Sequence, residues 1–118
     1  MVSSPEPAPQ RFGTMYDVVR HWADTNPHHP ALLQHGIDPL SYSGLLKSID
    51  AMGATLNSWG FGRNDRIAIV HPGGRDMAAA IIGIWSYATP VPLNPENTLG
   101  EFAIQLRDMR VKAIAIVT

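Results

Sequence analysis

The sequence has no cysteine, two lysines against seven arginines, and no apolar run longer than the one from Met77 to Trp85. Each shortage excludes something. Without cysteine there is no disulfide framework and no thiolate metal site, and a reducing compartment is expected. The longest apolar run is far too short to span a bilayer. The N-terminal MVSSPEPAPQ lacks the charged start and apolar core of a signal peptide, so a soluble cytoplasmic protein is expected. A formal net charge of −1, with the arginines scattered, leaves no basic footprint for nucleic acid or an anionic membrane. Charged residues make up 16% of the 118, against roughly 25% in ordinary domains. Part of the surface is therefore expected to be covered by more protein.

What is present is hydrophobic periodicity. Residues 1–12, carrying Pro5, Pro7 and Pro9 with Ser3, Ser4 and Glu6, bury too little apolar surface to order themselves and are expected to form a disordered leader. Structure is expected over 13–118. Thr14 with Asp17 resembles a capping box, and Met15, Val18, Val19 and Trp22 recur on one helical face until Asn26-Pro27. Two apolar stretches, 31–33 and 40–42, flank His35-Gly36-Ile37-Asp38-Pro39, which reads as a β-hairpin with a longer loop. From Ser43 the stripe Leu45, Ile49, Met52, Leu56, Trp59 gives a helix stopped by Gly60 and Gly62.

After Asn64-Asp65 the pattern becomes strand, helix, strand, helix, strand. Arg66–Val70 is apolar on both faces, a helix runs from about Asp76 to Tyr87, and PVPLNP gives a short strand. Thr98 and Glu101 form a capping box for a helix with inner stripe Leu99, Phe102, Leu106, Met109, and VKAIAIVT closes the chain as a strand buried on both faces. The fold class is α/β: an N-terminal helix and β-hairpin, then a β-α-β-α-β unit of a largely parallel, incomplete sheet flanked by helices. Pro90 and Pro92, two apart, lose their N–H groups on the same side of their strand, so that strand should be hydrogen-bonded on one side.

Candidate chemistry is sparse. In IAIVHPGGRDMAAA (67–80) a strand, a Gly-Gly turn and a helix N-terminus could hold an anion or nucleotide, with Arg75 as the contact. The segment is neither G-x-G-x-x-G nor G-x-x-x-x-G-K-[ST], and Asp76 opposes an anion. The simpler reading is a connection whose Asp76 caps the helix. His21, His28, His29, His35 and His71 show no helical i, i+4 ligand spacing. No G-x-S-x-G elbow is present. Trp22, Trp59 and Trp85 fall on apolar stripes and are expected in the core. No catalytic, cofactor-binding or metal residue is assigned.

Three stretches together carry a resemblance. LSYSGLL (40–46) resembles the [LT]-[TS]-Y-x-E-L segment of adenylate-forming enzymes, a family that includes acyl-CoA synthetases, luciferases and peptide-synthetase adenylation domains. ATPVPLNPENTLGEF (88–102) resembles its G-A-x-x-V-P-L-N-P-x-x-T-x-x-E-[LF] motif, and WGFGRNDRIAIVHPGGRDMAAAIIGIW (59–85) resembles the stretch between them. Gly44, Asn64 and Tyr87 depart from the family's usual glutamate, glycine and glycine. The LNP spelling is more like a CoA ligase.

The resemblance implies the N-terminal part of an AMP-forming ligase that joins a carboxylate to ATP as an acyl-adenylate and then passes it to a thiol. ATP, Mg2+ and CoA are implied for the full-length family, none for this segment, because its phosphate loop, magnesium carboxylate and mobile lysine lie downstream of these motifs. The 118 residues alone are expected to be inactive. The expected partner is the remainder of the ligase, or a second copy covering the open sheet edge; the alternative is a stand-alone binding or dimerisation module built on that fold.

Overall fold

The computed structural model describes residues 13–71 and 73–116. The expected leader, residues 1–12, lies outside these, as do Pro72, Val117 and Thr118. Helix α1 (Met15–Thr25) starts at Thr14, whose Oγ1 accepts the Asp17 N–H at 3.2 Å. The Asp17 carboxylate returns to the Gly13 N–H at 3.2 Å, one residue before the position a capping box would use. Asn26 closes the helix by donating its N–H to Trp22 O at 2.7 Å.

Strands β1 (Pro30–Gln34) and β2 (Ile37–Ser41) pair antiparallel around His35-Gly36. The turn is shorter than the expected five-residue loop. Gly36 has φ +81°, a conformation open to glycine without steric cost, so Ile37, Asp38 and Pro39 are already strand. Helix α2 (Tyr42–Ser58) is capped by Ser41, whose Oγ accepts the Gly44 N–H at 3.0 Å.

The remaining elements form the larger sheet: β3 (Arg66–Val70), α3 (Arg75–Tyr87), β4 (Thr89–Leu93), α4 (Leu99–Asp108) and β5 (Val111–Ile116). The strand order is β4-β3-β5, all parallel, with Ile67 level with Pro90 and Ala113, and Ile69 level with Pro92 and Ala115. The central position of β3 explains its uninterrupted apolar sequence, since Ile67, Ala68 and Ile69 are all buried.

The proline expectation is met. Thr89 donates its N–H to Asp65 O at 2.9 Å, so by alternation Val91 and Leu93 also face β3 while Pro90 and Pro92 face away. Among the described residues β4 pairs with β3 alone.

Two apolar clusters hold these elements together. Leu56, Ile67, Ile69, Met77, Ile84 and Ala88 join α2, α3 and the sheet. Val19, Leu45 and Ile49 join α1 to α2, with Leu32 and Leu40 of the hairpin against them. Where α2 crosses α3 the helices meet closely. A methyl at Gly53 would collide with the Tyr87 ring, and one at Gly83 would press on Met52 Cβ at 3.3 Å.

Three burial expectations are corrected. Trp22, Trp59 and Trp85 are all exposed, Trp59 to 70%. Trp59 lies past the last turn of α2, at its C-cap, so the helical stripe that pointed it inward no longer applies. On α4, Phe102 and Leu106 are half-buried, but Leu99 is 88% exposed and Met109, at the C-cap, is also exposed. In β5, Val111, Ala113 and Ala115 are partly covered while Ile114 and Ile116 stand in solvent, Ile116 at 78%. One face of β5 is covered, not two.

Candidate functional site

In the turn from β3 into α3 the backbone geometry resembles an anion cradle. Gly73 and Gly74 have φ +118° and +93°, and the Gly73 N–H donates to His71 Nδ1 at 3.1 Å. α3 begins at Gly74 without a side-chain cap from its own segment. The free N–H of Arg75 is instead taken by the hairpin: Gln34 Oε1 accepts it at 2.7 Å. A Cβ on residue 74 would lie 2.6 Å from that oxygen, so glycine is required both for φ and for the approach of the amide.

Arg75 is committed in the same way. Its Nη1 donates to Asp38 O at 2.7 Å, and its Nε and Nη2 reach Asp76 Oδ1 at 3.2 Å. Asp76 therefore pairs with its neighbour and does not cap α3, correcting the expected role. The arrangement latches the β1–β2 hairpin to α3. A groove of about 530 Å³ opens beside it, lined in part by Leu40, Ser48, Met52, Arg75, Asp76 and Ile116. Its polar lining comes from Ser48, Thr55, Arg75 and Asp76.

The histidines do not assemble. His29 Nδ1 lies 2.9 Å from Pro30 O, and the His21 ring packs edge-on to Trp22 with centroids 5.0 Å apart. Among the described residues no group of three or more His, Asp or Glu could hold a metal. Trp22, His29 and Tyr42, with Asn26, border a slot of about 140 Å³ on the surface; of these, Trp22 is the one the helical periodicity had placed in the core.

The segment after β4 is built as a scaffold. Asn94 O accepts the Asn97 N–H at 3.1 Å, Asn94 Oδ1 accepts the Glu96 N–H at 2.9 Å, and Asn97 Nδ2 donates to Gln105 Oε1 at 2.7 Å. The Thr98–Glu101 capping box is complete, with its reciprocal bonds at 3.2 and 3.1 Å. A family model for AMP-binding enzymes matches residues 19–118, taking in all of this. The chain belongs to the AMP-binding enzyme family.

Within that family two of the three recognised stretches acquire physical roles. Ser41 of LSYSGLL caps α2, Asn94 of the LNP segment forms the turn after β4, and Thr98 with Glu101 starts α4. Tyr87, which departs from the family's usual glycine, is accommodated by Gly53 across the helix crossing. Burial raises the Tyr87 hydroxyl pKa above its ordinary value, with Asp50 and Tyr16 adding to the shift.

No curated protein matches the sequence. Solved structures do. The nonribosomal peptide synthetase FmoA3, bound to α-methyl-L-serine-AMP, matches with TM-score 0.81 at 22% identity, covering 97% of this chain and 13% of that protein. A fatty acyl-adenylate ligase from L. pneumophila, in complex with acyl adenylate and pyrophosphate, matches at 0.78 and 21%, covering 89% and 20%. The Klebsiella oxytoca NpsA N-terminal subdomain, in complex with 3-hydroxyanthranilyl-AMSN, matches at 0.73 and 17%, covering 87% and 26%. The chain thus spans about an eighth to a quarter of the length of these neighbours, and the likeness establishes the shared fold.

Proposed function

We propose that residues 13–118 form the N-terminal subdomain of an ATP-dependent carboxylate-adenylating ligase of the acyl-CoA synthetase type. The observation that carries this is the match of the AMP-binding family over residues 19–118, with its motifs folded into a capped, latched scaffold. The complete ligase uses Mg·ATP to convert a carboxylate to an acyl-adenylate and pyrophosphate, then transfers the acyl group to the thiol of CoA. The LNP spelling favours CoA over a carrier-protein thiol. This segment supplies support: the groups that would stabilise the charge developing on the α-phosphate belong to the rest of the enzyme.

Carboxylate-dependent ATP–pyrophosphate exchange tests both halves of the proposal. The 118 residues alone should give no exchange, and robust exchange by them would overturn the supporting role. The uninterrupted coding frame should give exchange with at least one acid from a panel of fatty, aryl and amino acids. A frame-complete protein that is folded and inactive on the whole panel would overturn the ligase assignment.

The alternative is a stand-alone binding or dimerisation module. It is favoured by one feature, the unpaired outer edge of β5 among the described residues. Sedimentation of the isolated chain as a monodisperse dimer would support it.

A further inference from the structure

The four residues that border the slot at the C-terminal end of α1 are tied to one another through their backbones. Asn26 donates its N–H to Trp22 O at 2.7 Å, His29 donates to Asn26 O at 3.1 Å, and Tyr42 donates to His29 O at 3.0 Å. His29 Nδ1 lies 2.9 Å from Pro30 O, which fixes the ring as well. The slot is therefore built before anything enters it, and a preformed site lowers the ordering cost of binding.

Its walls are aromatic and its border offers donors. The Tyr42 centroid lies 6.4 Å from that of Trp22 and 6.2 Å from that of His29, each pair of rings inclined at 34°. Trp22 Nε1–H, the Asn26 amide and the Tyr42 hydroxyl can all donate hydrogen bonds. Among the described residues no carboxylate, lysine or arginine lines the slot, and its volume of about 140 Å³ suits a compact ring. The matching ligand is uncharged and apolar, with carbonyls to accept those donors and few N–H groups to leave unpaired. Proline in an extended segment is such a ligand.

The polypeptide carries one close by. Residues 5–9, outside the described residues, read Pro-Glu-Pro-Ala-Pro. Glu6 and Ala8 each precede a proline, which biases them to extended backbone, and alternate residues of an extended strand share a face about 6.6 Å apart. That repeat is close to the spacing of the three rings. The reach is sufficient. Trp22 is seven residues along α1 from Met15, about 10.5 Å, while Pro9 precedes Met15 by six residues, up to about 20 Å of extended chain. Met15 and Val18, half-buried on the same stripe as Trp22, supply apolar surface between the two. We infer that the slot seats the Pro-x-Pro-x-Pro segment of the chain's own N-terminus, doubled back along α1, with its proline rings against Trp22, Tyr42 and His29. A short tether holds its segment at an effective concentration in the millimolar range, which favours this occupant over a proline-rich segment of another protein. The inference does not draw on the ligase reading.

Tryptophan fluorescence tests it. Trp59→Phe and Trp85→Phe, both at exposed positions, leave Trp22 as the single tryptophan. Acrylamide quenching of that chain should be weaker by about twofold than in the same chain carrying Pro5→Ala, Pro7→Ala and Pro9→Ala, as half-occupancy gives when a millimolar Kd meets a millimolar effective concentration. The three alanines replace none of the described residues, so the fold that presents Trp22 is the same in both. A free peptide of residues 1–12 should restore the protection to the alanine chain at saturation, and its alanine counterpart should not. Equal quenching of the two chains overturns the inference even where the free peptide binds, since the slot would then serve a segment of another protein. Protection by the alanine peptide overturns it as well. So does protection that grows with chain concentration, which would assign the slot to the N-terminus of a second copy.

Discussion

The α2–β3–α3 block and the α4–β5 flank are built from similar sequence and meet different fates. Both pair an amphipathic helix with a strand rich in β-branched and small apolar residues. In the block, Ile49, Ile69 and Ile84 are fully buried. In the flank, α4 has no buried residue and β5 keeps Ile114 and Ile116 in solvent. The contrast separates two meanings of a hydrophobic pattern: it states which side of an element is fit for burial, and a second surface must still arrive to bury it. The block has its second surface within these residues, and the flank does not.

The largest test of that contrast is a charge in the block. Ile84→Asp places an unpaired carboxylate where the side chain is 0% exposed, and should cost upwards of about 4 kcal/mol, enough to unfold a domain of ordinary stability. Loss of the cooperative thermal transition in circular dichroism is the expected reading; a retained transition would show that the block is not the stabilising half.

A smaller effect should follow from Gly53→Ala. Its methyl meets the Tyr87 ring, and overpacking of this kind costs about 1–3 kcal/mol. In a Tyr87→Ala background the same change should reverse sign, because alanine is the better helix former by up to about 1 kcal/mol. Urea denaturation of the four proteins measures the coupling, and additive effects would mean that the helix crossing is looser than described.

Thr98→Ala removes one half of the capping box on α4 and should cost about 1 kcal/mol. In the flank this should emerge as faster hydrogen exchange over 99–108 while the amides of α2 and α3 keep their protection. Slowed or accelerated exchange spreading equally through the block would show the two regions to be one cooperative unit.

The pH dependence of Tyr87 is more modest. Its pKa is raised in the folded chain from an ordinary value of 10.0, chiefly by burial. The unfolded chain therefore gives up this proton first, so the stabilising contribution is intact below pH 10 and declines as pH rises through the folded value. Tyr87→Phe should flatten the stability profile in that window, and an unchanged slope would remove the effect. The smallest change should come from Ile116→Lys in the flank, within about 0.5 kcal/mol of zero, with improved solubility of the isolated chain as its visible result.

Much of the fold was legible because local signals agreed with one another. The Thr98–Glu101 box and the paired prolines each specify backbone hydrogen bonding over a few residues, and each is found as read. The tryptophans were misplaced because helical phase was extended to Trp59 beyond the end of its helix, and because a stripe cannot show where its partner surface stops. Asp76 was taken for a cap because the sequence could not reveal that Gln34, forty-one residues before Arg75, accepts the Arg75 N–H. The family was legible in the sequence as a resemblance carried by three short stretches. The latch between hairpin and helix depends on a long-range contact that no local pattern encodes.

Pro90 and Pro92 also limit what the protein can do by accident. An isolated sheet with two adhesive edges can recruit copies without end, as fibres do. Here one edge of the larger sheet is silent, so strand-to-strand association through that sheet has a single point of attachment and terminates at a pair. The two prolines thus act as a chain terminator for aggregation, allowing the other edge to stay receptive without the usual hazard.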